Sequence, residues 1–105
     1  MTITITCMKR RLRGEILRVL YLGDETRKAR LDDLTLTAVL ERMQYDVYLN
    51  LIDELLHDLK ERGFVDFAED RNKATGKSSI RLIRITPAGR DIIEKTGSSP
   101  AVEVD

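Results

Sequence analysis

The stretch from Asp46 to Val65, DVYLNLIDELLHDLKERGFV, constrains this chain more than any other. Ile52, Leu55, Leu56 and Leu59 recur at spacings of three and four, so they share one face of a helix. Val47, Tyr48 and Leu51 extend that stripe by a turn, while Asp53, Glu54, His57, Asp58 and Lys60 lie off it. Asp46 is the expected N-cap. Gly63 follows Lys60, Glu61 and Arg62 and supplies the left-handed residue on which helices commonly end. Phe64, Val65 and Phe67 then begin a strand. The rest of the chain must cover the apolar stripe of this helix and connect to the strand it runs into.

The segment before it, LDDLTLTAVLERM, places Leu36, Val39, Leu40 and Met43 at helical spacing, with Asp32 or Asp33 available as cap. Gln44 and Tyr45 leave only a short link, so the two helices form a helix-turn-helix unit. Further upstream, GEILRVLYLG predicts a helix that buries Ile16, Leu17, Val19 and Leu20. Lys9, Arg10, Arg11 and Arg13 precede it. Cations in the first turns of a helix cost about 0.3–1 kcal/mol each, and Gly14 inside it would cost about 1 kcal/mol more. Both costs favour a basic arm over residues 1–13 and a helix from about residue 14. Thr2 to Thr6 alternates Thr and Ile, as a short strand or a disordered terminus would. Gly23 to Arg30 is polar and predicts a loop.

Downstream, FVDFAED and IRLIRI are strand-like, and the basic, turn-rich RNKATGKSS between them predicts a hairpin with Gly76 at its tip. Thr86-Pro87 opens a last helix, because Thr caps well and Pro at the first helical position loses no needed hydrogen bond. Ile92 and Ile93 anchor it, Gly97 ends it, and residues 97–105 form a flexible tail.

At 105 residues the chain suits one domain. With 42% apolar and 34% charged residues it is a charge-rich globular sequence. No apolar run approaches the roughly 20 residues that span a bilayer, and the N-terminal basic cluster follows its apolar residues, the reverse of a secretion signal. These features predict a cytoplasmic protein. Cys7 is the sole cysteine, which excludes an intramolecular disulfide. The net charge is zero but unevenly spread. Residues 1–30 carry eight Lys/Arg against three Asp/Glu, residues 31–70 three against eleven, and residues 71–105 seven against four. Such a layout polarises the surface or forms ordinary solvated helix faces.

Most site chemistry is excluded by spacing. Thr75-Gly76-Lys77-Ser78 imitates the end of a phosphate-binding loop, but Arg71 stands where that motif needs glycine, and a strand follows where it needs a helix. His57 is the lone histidine and no Cys/His cluster exists, so neither a metal nor another cofactor is expected. No nucleophile accompanies His57 and its neighbour Asp53, and no enzymatic activity is expected.

Two segments carry a family resemblance. DLKERGFV (Asp58–Val65) and, some twenty residues later, RITPAGRDII (Arg84–Ile93) resemble the winged helix-turn-helix domains of bacterial MarR- and PadR-type transcriptional regulators; small phage-encoded winged-helix proteins look similar. The match covers about residues 14–96. It implies an α+β fold, a winged helix-turn-helix of three helices plus a two-stranded wing and a short C-terminal helix. It also implies a DNA-binding transcriptional regulator whose partner is double-stranded DNA, with a homodimer as a further expectation.

Read residue by residue, the wing offers Arg71, Lys73 and Lys77, with Arg81 and Arg84 on the next strand, to phosphates. Lys9, Arg10, Arg11 and Arg13 offer a backbone-binding arm. Gln44, Tyr45, Tyr48 and Asn50 stand where helix-turn-helix proteins touch base edges. The third helix, however, has no cation before Lys60 and carries Asp46, Asp53, Glu54 and Asp58. The alternative expectation is therefore a protein–protein interaction module that docks a basic partner on these four acids.

Overall fold

Six elements follow in the order α1 (Ile5–Thr26), α2 (Asp33–Arg42), α3 (Leu49–Glu61), β1 (Val65–Arg71), β2 (Ser78–Ile85) and α4 (Pro87–Ile93). The structure, a computed structural model, describes residues 5–26, 31–71, 73–76, 78–94 and 102. The described residues form four helices and a two-stranded antiparallel sheet, an α+β arrangement compatible with a winged helix.

Helix α1 overturns the expected basic arm. It runs unbroken through Gly14, so Lys9, Arg10, Arg11 and Arg13 lie on the helix itself. Its inner face buries Leu12, Ile16, Leu17 and Leu20. Leu12 belongs to that stripe, and its burial requires the turn before Gly14 to be helical. The helix-dipole and glycine costs are local and small; burial of the stripe and the pairing of Lys9 and Arg13 with α3 outweigh them. At the other end the helix continues through Gly23 to Thr26, where a loop was expected. Arg90 of α4 donates to Asp24 at 2.7 Å, and Tyr21 donates to Glu94 at 2.9 Å, which fastens these last turns to α4. The remainder of that predicted loop, residues 27–30, lies outside the described residues, as does the predicted terminal strand before Ile5.

Asp32 caps α2 by accepting the Thr35 N–H at 2.7 Å. Hydrogen bonds from the Thr35 side chain and backbone hold the Asp32 carboxyl below its usual range. Helix α2 ends in a Schellman closure: Gln44 N–H reaches the Glu41 carbonyl and Tyr45 N–H reaches that of Leu40. The left-handed residue of this closure is Gln44, at φ +72°.

Helix α3 begins at Leu49, three residues after the expected Asp46 cap. Tyr48 occupies the cap with extended backbone and no side-chain hydrogen bond. An extended link lets Val47 enter the core from outside the helix. Ile52, Leu55, Leu56 and Leu59 form the buried stripe as predicted. The helix ends in a second Schellman closure, with Gly63 at φ +82° and Phe64 N–H on the Leu59 carbonyl at 2.9 Å.

The hairpin is longer than the apolar runs suggested, since Arg71 still pairs with Ser78. Its register shifts between Asp66 and Ala68. Asp66 pairs with Arg84 and Ala68 with Arg81, so β2 carries one more residue than β1 across this interval. Leu82 sits in the bulge at φ +56° and is 55% exposed. Val65, Phe67, Ile80, Ile83 and Ile85 face inward. A lone bridge from Leu31 to Ile83 adds a stub to the other edge of β2.

Thr86 caps α4 as predicted, accepting the Gly89 N–H at 3.2 Å. The same residue binds back to the end of α3: its hydroxyl donates to the Gly63 carbonyl and its N–H to that of Phe64. Gly89 completes this clasp. A Cβ there would stand 2.3 Å from the Phe64 carbonyl oxygen and 2.8 Å from Ile85. The two segments that carry the family resemblance therefore touch one another. Of the predicted tail only Val102 is described, and it is buried in the core; Gly97 and the remaining tail residues lie outside the described residues.

Candidate nucleic-acid interface

The apolar stripe of α3 faces the core, so its opposite ridge is set by helical geometry: Asn50, Glu54, His57 and Glu61, all exposed. Tyr48, just before the helix, is 63% exposed. Gln44 is exposed at the left-handed turn of the link. Three of the four residues expected near base edges, Gln44, Tyr48 and Asn50, thus lie open around the start of α3. Tyr45 does not: it packs half-buried against the core, close to Glu15 and Arg11 of α1. Burial first, then the charge of Glu15, pushes its phenol pKa up.

The flanks of α3 are occupied. On the α1 side, Lys9 bonds Glu54 at 2.8 Å and Arg13 pairs with Asp58 at 2.7 Å, with Arg62 reaching the same carboxylate at 3.0 Å. The basic N-terminal segment and the acidic middle segment of the sequence neutralise one another here. Arg10 is half-buried and Arg11 is exposed on α1. On the sheet side, Lys60 lies 4.4 Å from the Phe67 ring centroid and donates to the Phe67 carbonyl at 3.2 Å. His57 meets the edge of the same ring at 5.4 Å. Its Nε2 is 2.6 Å from Glu69 of β1 and its Nδ1 is 2.8 Å from the Asp53 carbonyl. These contacts place the hairpin directly beside α3.

On the hairpin, Arg71 and Lys73 are exposed, while Lys77 lies outside the described residues. Arg81 pairs with Asp70 at 2.7 Å and Arg84 with Asp66 at 3.1 Å across the strands. The hydrogen bond from Arg84 and the Phe67 N–H keep the Asp66 carboxyl below its ordinary range. The cations toward the strand ends are thus matched by acids, and Arg71 and Lys73 lie nearest the loop. Of the four acids expected to receive a basic partner, Glu54 and Asp58 are bonded within the chain, Asp53 turns inward, and Asp46 is exposed.

One cluster was missed by sequence reasoning. Asp33, at the start of α2, is 3% exposed and its Oδ2 accepts the Ile80 N–H of β2 at 3.3 Å. The Asp53 carboxyl lies against it, with Oδ1 buried and lacking a hydrogen-bond partner. Burial, the contact with Asp33 and the charges of Asp33 and Glu69 push the Asp53 pKa up to about 7, against the opposing pull of His57. Burial disfavours a charged His57, yet the bonds to Glu69 and to the Asp53 carbonyl, with the charges of both acids, raise its pKa overall. A signal existed: Asp33, Leu36, Thr37 and Leu40 share helical spacing, so Asp33 stands in the buried stripe of α2. Among the described residues no group of three or more His, Cys, Asp or Glu side chains is placed to hold a metal ion. No described helix is long and apolar enough to cross a membrane.

No family model matches the chain, and no curated protein matches it. Among solved structures, the chain is similar to the crystal structure of the candidate transcriptional regulator TA0346 from Thermoplasma acidophilum, with 28% identity, a TM-score of 0.51, and coverage of 77% of this chain and 75% of that one.

Proposed function

We propose that this chain is a winged-helix DNA-binding transcriptional regulator, with α1 to α4 as its domain and the β1–β2 hairpin as its wing. The observation that carries the reading is the similarity to a candidate transcriptional regulator at 28% identity over 77% of the chain. The geometry adds support, since the hairpin that carries Arg71 and Lys73 lies against α3 through His57 and Lys60. In this reading only the first turn of α3 approaches base edges, through Tyr48 and Asn50, with Gln44 beside them. Arg71, Lys73 and Lys77 of the wing and Arg11 of α1 supply phosphate contacts. Lys9 and Arg13 are engaged against α3, Arg81 is paired with Asp70 on the hairpin surface, and Tyr45 packs against the core. A basic protein docked on Asp46, Asp53, Glu54 and Asp58 is not the reading adopted, because three of those four acids are engaged within the chain.

The test is binding to duplex DNA over a range of salt. Affinity should fall steeply with salt, and replacing Lys73 and Lys77 together by Glu should reduce the slope of log K against log salt by about 2. Absence of binding at about 50 mM salt, where phosphate contacts are strong, would defeat the reading.

A further inference from the structure

Asp33, Asp53, His57 and Glu69 bring four titratable groups together where α2, α3 and both wing strands meet. Asp33 holds the wing through the Ile80 N–H at 3.3 Å. Glu69 holds it through His57 at 2.6 Å. Asp53 stands between these two attachments, its carboxyl against Asp33 and its carbonyl on His57. We propose that the wing is latched to α3 by protons, so that loss of a proton from this cluster loosens the wing and weakens DNA binding.

The charges around the cluster explain the direction. Asp33 approaches from α2, Asp53 and His57 from α3, and Glu69 from β1, while β2 contributes the Ile80 N–H. The neighbouring cations are already matched. Lys60 lies 3.7 Å from Asp66, Arg84 and Arg81 pair with Asp66 and Asp70, and Lys9 and Arg13 of α1 pair with Glu54 and Asp58. With a proton on Asp53 and another on His57, the cluster holds the carboxylates of Asp33 and Glu69 against one imidazolium. Remove the first proton and three carboxylates face that imidazolium. Remove the second and they face one another alone. Repulsion then acts between Asp53 of α3 and Glu69 of the wing, and between Asp53 and the Asp33 that grips Ile80. Burial of Asp33 and of Asp53 Oδ1 keeps water from screening it fully.

The proposal rests on the DNA-binding reading for its consequence but not for its mechanism, and two measurements separate them. The first is the dissociation constant of a random duplex at pH 6.0 and pH 8.5 at fixed ionic strength. It should rise at least about threefold for the wild type and clearly less for Asp53→Asn, which cannot lose the first proton and keeps only the change at His57. The second, made without DNA, is the hydrogen-exchange protection factor of the Ile80 amide. It should fall by at least about threefold over the same range in the wild type and clearly less in Asp53→Asn. Glu69→Gln, which removes one of the facing charges, should shrink both changes and serves if Asp53→Asn folds poorly. A duplex that binds at neither pH defeats the DNA reading, while the Ile80 arm still decides the latch. An Ile80 protection factor that does not change with pH, or that falls equally in both variants, overturns the latch.

Discussion

Replacing Asp53 by Asn should make the protein more stable at pH 8 and leave it nearly unchanged at pH 4 to 5. Asp53 has its pKa raised from 3.8 to about 7, first by burial and then by Asp33 and Glu69. A raised carboxyl pKa means the folded chain keeps a proton that the unfolded chain has released. The stability from that proton is fully present below pH 3.8 and is lost as pH climbs to about 7. Above that point the carboxylate is ionised in a site that opposes its charge. A shift of this size corresponds to a ceiling of about 4 kcal/mol at 1.36 kcal/mol per unit. The side chain is only half-buried, and solvent screens part of the repulsion, so the realised cost is about 1–2 kcal/mol. Asn fills the same space, carries no charge, and offers an N–H to Asp33. The variant should therefore gain about 1–2 kcal/mol at pH 8, or a rise in Tm of several degrees for a domain of this size. Urea denaturation of both proteins at pH 4.5 and pH 8 provides the measurement. His57 works in the same direction, because its raised pKa gives stability that is also lost as pH rises, so Asp53→Asn keeps some pH dependence of its own. A variant less stable than the wild type at pH 8, or equally improved at both pH values, would refute the account of the cluster.

Gly89→Ala should destabilise the fold by about 2–3 kcal/mol, because its Cβ would overlap the Phe64 carbonyl and backbone must shift to admit it; chemical denaturation shows whether it does. Gln44→Gly should stabilise by about 0.5–1 kcal/mol by relieving the left-handed backbone at φ +72°, while weakening discrimination between duplex sequences if the amide reads a base. Arg13→Ala should cost about 1 kcal/mol, since its carboxylate partner Asp58 is partly buried at the α1–α3 contact. A double-mutant cycle with Asp58→Ala isolates the pair energy, and a coupling of zero would assign the loss to packing instead.

The parts of this fold that were legible in the sequence are those fixed by neighbours along the chain. The stripe Ile52, Leu55, Leu56 and Leu59, the stop at Gly63, the Thr86-Pro87 start and the turn at Gly76 all depend on spacing or on one residue's backbone preference. Helix α1 was misjudged because the costs of Gly14 and four crowded cations are local, whereas what offsets them is supplied by Leu12 in the core and by Glu54 and Asp58 from α3. The start of α3 was placed early because Val47 continues the apolar spacing although it reaches the core from an extended link. At the candidate interface, position alone foresaw the exposure of Tyr48 and Asn50. The withdrawal of Tyr45, and the pairing of Lys9, Arg13 and Arg81 with acids, depend on residues far away in the chain and leave no periodic trace.

The bulge at Leu82 has a consequence for how this hairpin can vary. Alternation along β2 would put Ile80 and Ile83 on opposite faces, and the additional residue lets both point inward. Leu82 thus works as a phase shifter between the half of the strand that builds the core and the half that leads to the wing tip. Deleting it would remove no buried side chain and would leave Ile83, Arg81 and Ile80 in plain alternation, with both isoleucines still inward and Arg81 outward. Length changes in the loop beyond Arg71 and Ser78 leave that phase intact. The wing tip is therefore free to lengthen, shorten or change its charge, and the strand beneath it keeps its inward face whether Leu82 is replaced or lost.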